Sequence, residues 1–425
     1  MSGNRRRAIA EDRASFTRTM LPNGVRVVTE MIPSVRSISV GVWVFTGSRD
    51  EPARLAGISH LIEHMVFKGT TRRRTHHIAQ RLESVGGYLN AFTGKEYTCF
   101  FARALDEHLD RSIDTICDLV LRPSFPATEL VKEKDVVLEE MKMYDDTPED
   151  VIFDHFEAAI YDGHPLSRPV IGTPKSVKRI GRQILRDFVE RNYSPNRIVV
   201  AVAGNAEHSR VVRLVQKAFS GSRRARRPVR RKKVVAYTPA ESMVGRPISQ
   251  AHLVMGTRSL GARDPGRSAL VVLNTILGGG MSSRLNQNIR EKYGYCYQIY
   301  SFLNIHSDSG DFGIYMGTDS SKIERAKKLI LREVDRLSQT PVSARTLSQA
   351  KSQVKGSIML GLEGMSNRMM RLGRQELFYQ RYSTLDEVMD EIESVTPDDI
   401  QHLAQTVLPA DKFSTVVVSP TEDAI

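Results

Sequence analysis

Cysteine is scarce in this sequence: Cys99, Cys117 and Cys296 are the only three in 425 residues. So few, so scattered, exclude a disulfide framework and a paired-thiolate metal site, and each is expected as a reduced core residue. Long apolar runs are missing too. The longest, such as Ser37 to Phe45 and Ile198 to Ala203, fall well short of the roughly 18 residues that span a membrane. The first 25 residues hold no apolar signal core, since Arg5, Arg6 and Arg7 mix there with Glu11 and Asp12; a cytoplasmic location is expected. With 29 Gly and 18 Pro, the chain is neither collagenous nor low-complexity. What is present, 40% apolar and 26% charged residues, describes a globular protein. At roughly 100–200 residues per domain, its length predicts two or three domains.

Positive charge is in excess, 61 basic against 49 acidic residues, for a net +12. Its distribution is uneven. Arg223, Arg224, Arg226, Arg227, Arg230, Arg231, Lys232 and Lys233 crowd one stretch that contains no acid. Like charges at that density repel and resist burial, so Ser222 to Tyr237 reads as an exposed linker. Aromatic residues, which would act as stacking platforms, do not interleave with the basic ones, and no nucleic-acid partner is expected. The expected organisation is therefore a first half (1–221), a basic linker (222–240) and a second half (241–425).

The halves resemble one another. Leu55 and Gly57 correspond to Leu277 and Gly279, and further on Leu130, Lys134 and Val137 face Leu347, Lys351 and Val354 at an offset of 217. Helical Lys175 to Arg191 followed by strand-like Ile198 to Ala203 is echoed by Leu385 to Thr406 followed by Ser414 to Val418. Three matches in one order point to a duplication. Each half reads as an α+β unit, a mainly antiparallel sheet packed with helices.

One motif carries chemistry. In His60-Leu61-Ile62-Glu63-His64, the histidines stand at i and i+4 on one helix face and can share a metal ion. Glu63, at i+3 from His60, can act on a water without being a ligand, as a general base for hydrolysis requires. This is the inverted zincin order. A catalytic zinc needs three protein ligands and one open position. Glu133 and Glu140, two helical turns apart, share one face of a later helix while Glu139 points elsewhere, and spacing alone leaves either of the first two as third ligand.

The segments GISHLIEHMVFKGT, VGGYLNAFTGKEYTCFFARAL and ELVKEKDVVLEEMKMYDDTPED resemble the pitrilysin/insulinase family. The likeness is greatest to the branch holding the mitochondrial processing peptidase β-subunit and short bacterial processing peptidases. That resemblance implies a zinc endopeptidase with His60, His64 and Glu140 as ligands of one zinc, Glu63 as base and Glu133 supporting the site. It also implies two homologous halves facing each other as a clamshell, and an extended peptide substrate added as a strand along Asn90, Ala91, Phe92 and Thr93. Arg290 and Tyr297 resemble the family's pair that touches the substrate from the second half. Asp150 and Asp154 match an acidic pair that receives an arginine near the cleavage site, with Asp where the processing-peptidase subunit has Glu at the first position.

The repeat adds an internal check. His60, Glu63 and His64 align with Ser282, Leu285 and Asn286, while Glu133 and Glu140 align with Ala350 and Ser357. Every chemical position is blank in the second half, which predicts one metal centre per chain. Expected partners are a peptide and a second copy of the chain as a homodimer, or else an inactive homologue; a non-proteolytic scaffold of the same fold is the rival reading.

Overall fold

The computed structural model describes residues 15–222, 231–235 and 237–421. Its first sheet holds β1 (Ser15–Met20), β2 (Arg26–Met31), β3 (Ser37–Val44), β4 (Tyr88–Thr93), β5 (Thr98–Leu105) and β6 (Ile198–Gly204), in the order β1-β2-β6-β3-β5-β4. The second holds β7 (Glu241–Arg246), β8 (Ala251–Ser259), β9 (Cys296–Ile305), β10 (Gly310–Thr318) and β11 (Ser414–Pro420), in the order β7-β11-β8-β10-β9. Apart from β1, the two sheets have one topology. Each has a single parallel pair, β2 with β6 and β7 with β11, and antiparallel neighbours elsewhere. The duplication and the α+β class read from the sequence are both visible here.

In the central strands of each sheet both faces are buried, as their apolar composition requires. On β6, Ile198, Val200 and Val202 enter one apolar cluster while Val199, Ala201 and Ala203 enter another, following the two-residue period of a strand. The first cluster includes helix Ile58–Val66 through Ile58, Leu61, Ile62 and Met65. The second is closed by helix Met365–Phe378, whose Met369, Leu372 and Leu377 pack with Trp43. Gly373 permits that approach: a Cβ there would lie 2.2 Å from the Trp43 indole. Glu376, buried, takes Arg18 Nε and Nη2 at 2.9 and 3.0 Å and Arg26 at 3.4 Å, and Arg368 pairs with Glu30 at 2.7 Å.

The second sheet is covered in the corresponding way, by a helix from the other half of the sequence. Ile152, Phe156 and Ile160 of helix Pro148–Ile160 pack with Val254, Tyr315, Val416 and Val418. The compact units therefore do not follow the linear division at 221 and 241. One combines the described residues of Met1–Met141, Pro169–Arg231 and Gly361–Tyr382; the other combines Lys142–Arg168, Lys232–Leu360 and those of Ser383–Ile425. The long helices Ala127–Asp145 and Ala344–Gly361 begin 217 residues apart, and so do the two exchanged helices that follow them, at 148 and 365.

The linker also differs from expectation. Arg223, Arg224, Arg226, Arg227 and Arg230 lie outside the described residues, but Arg231 is half-buried, with only 9% of its side chain exposed. It finds acids that the local sequence lacks. Its guanidinium meets both Asp50 carboxylate oxygens at 2.9 Å, Glu96 at 2.8 Å and the Phe45 ring at 3.9 Å. Arg49 joins the same Glu96 oxygen at 2.7 Å. All three cysteines are buried and free, and among the described residues no helix is long and apolar enough to cross a membrane.

Candidate metal centre

Helix Ile58–Val66 begins at Gly57, whose left-handed backbone (φ 89°) suits glycine, and where a Cβ would lie 2.4 Å from the Ile171 carbonyl oxygen. Glu51, only 4% exposed, accepts the backbone N–H groups of Gly57 at 2.7 Å and Ser59 at 2.8 Å. One carboxylate thus satisfies donors that a helix start leaves open and complements the dipole. The helix's apolar stripe faces the core, which turns His60, Glu63 and His64 toward helix Ala127–Asp145. There Leu130, Val137 and Met141 are buried, as is Glu133, while Glu139 is exposed.

Glu140 stands against both histidines: its oxygens lie 3.7 Å from His60 Nε2 and 3.5 Å from His64 Nε2. Among the described residues, His60, His64 and Glu140 form the one set of three such groups able to hold a metal ion, with ligand atoms within 4.8 Å of one another. Glu133 takes a different place. Its Oε2 lies 3.2 Å from His64 Nδ1, on the ring edge away from Nε2. Of the two glutamates that spacing left open, Glu140 is therefore the one that stands against both Nε2 atoms. Glu140 Oε2 is buried without a hydrogen-bond partner, and so is His60 Nδ1. Two imidazoles and an unpartnered buried carboxylate oxygen fit a divalent zinc ion in kind and number.

Electrostatics agree with that use. Burial, with help from neighbouring His64, holds His60 down to about 4, so its ring is neutral at pH 7 with a lone pair to give. Burial pushes both Glu63 and Glu140 above the ordinary carboxylate range, against the pull of His64; for Glu63 the Thr93 hydrogen bond also pulls down and the charge of Glu140 pushes up. Thr93 Oγ1 donates to Glu63 Oε2 at 2.6 Å.

Thr93 ends β4, which is the edge of the first sheet and, among the described residues, pairs only with β5. Gly94 N donates to Tyr97 O at 2.8 Å to close the expected hairpin. Asn90 and Phe92 lie on the same strand with Ala91 buried between them. Asn90 also lines a cavity of about 220 Å³ with Glu63, His64, Phe67, Lys68 and Glu133. Residues Asn90 to Thr93 and the metal set therefore share one unit and adjoin.

The remaining predicted residues belong to the second unit. Arg290 and Tyr297 lie together, the guanidinium 5.7 Å from the ring centroid, and Tyr297 is 84% exposed. Arg290 sits in a π-helical turn, Asn286–Glu291. Asp150 is exposed in the first turn of helix Pro148–Ile160, and Asp154 half-buried in the next. The aligned Ala350, in the register of Glu133, is buried in an apolar cluster. Sequence reasoning missed Glu51, Lys68 and the bond from Thr93 to Glu63; no local pattern marks a partner made by tertiary packing.

A duplicated α+β chain with two histidines and a glutamate drawn together, and a second glutamate beside them, has the arrangement of the inverted-motif metallopeptidases. Comparison with known proteins specifies the family. Residues 26–174 match the family described as insulinase (peptidase family M16), and residues 179–354 match the peptidase M16 inactive domain. The chain belongs to peptidase family M16. An uncharacterized zinc protease of Mycobacterium leprae is 42% identical over 412 residues, 96% of this chain and 92% of that protein. The uncharacterized zinc protease YmxG of Bacillus subtilis is 38% identical over 399 residues, covering 94% and 97%. Among solved structures, a protease from Helicobacter pylori superposes with a TM-score of 0.88 at 22% identity, covering 96% of this chain and all of the other. The peptidase M16 inactive domain from Pseudomonas fluorescens gives 0.89 at 21% identity, covering 96% and 98%.

Proposed function

We propose that this chain is a zinc endopeptidase that cleaves unstructured or presequence-like peptides bound in extended form. The observation that carries this reading is the convergence of His60, His64 and Glu140 beside a Glu63 held by the last residue of a sheet edge. A zinc ion held by the three ligands would supply a Lewis acid for the scissile carbonyl and a more acidic water. Thr93 occupies one oxygen of Glu63 and leaves Oε1 to take the proton from the attacking water and hand it to the departing amine. Partial burial makes Glu63 a stronger base than a solvated carboxylate. β4 offers the open side of an edge strand, which selects peptides whose backbone is free to pair.

To the same reading belong one zinc per chain, contacts to the peptide from Arg290 and Tyr297, a preference for arginine near the cleaved bond through Asp150 and Asp154, and self-association as a homodimer. The test is Glu63→Gln in the purified full chain. Cleavage of a quenched peptide should fall by about 10²–10⁴-fold with zinc content unchanged by metal analysis. Cleavage that persists, or loss of the metal, would sink the assignment of Glu63.

A further inference from the structure

Lys68 follows helix Ile58–Val66 in a turn where its N–H donates to the Met65 carbonyl at 3.1 Å. The turn sends its ammonium back toward the metal set, where Nζ lies 2.8 Å from Glu133 Oε1. Glu133 is 5% exposed, and its other oxygen faces His64 Nδ1 at 3.2 Å. On the far side of that ring, His64 Nε2 faces Glu140. Ammonium, carboxylate and imidazole thus form one line ending at the ligand atom.

We infer that Lys68 is a positioning residue of the zinc centre, acting through Glu133 on the orientation and tautomer of His64. A buried carboxylate is held in place by the groups that satisfy its oxygens, and on Oε1 that group is the Lys68 ammonium. So held, Glu133 Oε2 accepts the hydrogen bond of His64 Nδ1–H, which leaves the Nε2 lone pair for the metal and fixes the ring plane. With Lys68 replaced by an apolar residue, Glu133 Oε1 loses the partner that anchors it, and the carboxylate can turn away from the His64 ring. The imidazole then loses the acceptor that fixes its plane and its Nδ1–H tautomer, and binds the metal less well.

The sign of the effect separates this from simple proximity. Through-space repulsion between an ammonium and a dication predicts that removing Lys68 tightens zinc binding; positioning through Glu133 predicts that it weakens it. The inference rests on the zinc reading above.

The experiment is chelator competition for zinc in the full chain at fixed pH, for wild type, Lys68→Met, Lys68→Gln, Lys68→Arg, Glu133→Gln and the Lys68→Met/Glu133→Gln double variant, with thermal melts to select the folded proteins. Lys68→Met and Lys68→Gln should each weaken zinc by about 10–100-fold, and Lys68→Arg should recover most of it. Because Lys68 acts only through Glu133, the double variant should bind no more weakly than Glu133→Gln. Cobalt-substituted Lys68→Gln should also show an altered ligand-field spectrum. Unchanged or tighter zinc in the folded Lys68 variants, or independent losses that multiply in the double variant, would overturn the inference alone. A wild-type chain that binds no zinc would overturn the zinc reading and this inference with it.

Discussion

His252 shows how burial alone sets a residue's chemistry. It lies on β8, 5% exposed, with Nδ1 2.9 Å from the Tyr315 hydroxyl. Burial lowers its pKa below 6.5, against a smaller upward pull from Glu149. The unfolded chain protonates His252 near 6.5, the folded chain only at lower pH, so between those values the unfolded state binds more protons. Stability from this residue is full above about pH 6.5 and is lost as pH falls toward the folded value. His252→Gln should therefore flatten the decline of Tm between neutral and mildly acid pH. Parallel Tm profiles for variant and wild type would show that His252 has no part in it. The metal site is governed by the same physics, and its legibility was uneven. His60, Glu63 and His64 announce themselves because their spacing is local, and Glu133 and Glu140 because a helix puts them on one face. Glu51, eight residues before the second helix donor it accepts, has no such signature.

Among elements, the helix Met365–Phe378 depends most on close packing. Gly41 and Gly373 bring it against β3, where a Cβ at Gly41 would lie 2.3 Å from Met369 Sδ and one at Gly373 the same 2.2 Å from Trp43 noted above. Gly373→Ala must push the helix away or turn the indole. Such overpacking costs about 1–3 kcal/mol, which denaturant melts should register; a variant as stable as wild type would mean the Trp43 site yields freely. Ser37 to Phe45 and Ile198 to Ala203 were readable as strands because alternation and apolar runs are local. Which sheet receives an amphipathic helix is not local. Pro148–Ile160 and Met365–Phe378 each declare an apolar face, but nothing in the period of that face names its partner. For the same reason Arg231 read as solvated: its run contains no acid, and Asp50 and Glu96 arrive only with the fold.

At the scale of the whole molecule, the exchanged helices make the linear halves incomplete. Residues 1–221 alone lack the helix that covers the back of their sheet, and residues 241–425 lack theirs. Each expressed singly should leave a contiguous apolar sheet face exposed and aggregate, while co-expression should yield a soluble pair. A soluble, cooperatively melting single half would contradict this.

The exchange also bears on how such a chain originates. A single copy of the repeat arranged as here would have the back of its sheet covered by the helix of another copy, which is the arrangement of a swapped dimer. Two copies joined in one chain make such an association intramolecular and independent of concentration. They are also released from identity. One could then give up its histidines and glutamates, as Ser282, Asn286, Ala350 and Ser357 record, while still lending a helix to the sheet behind the surviving centre.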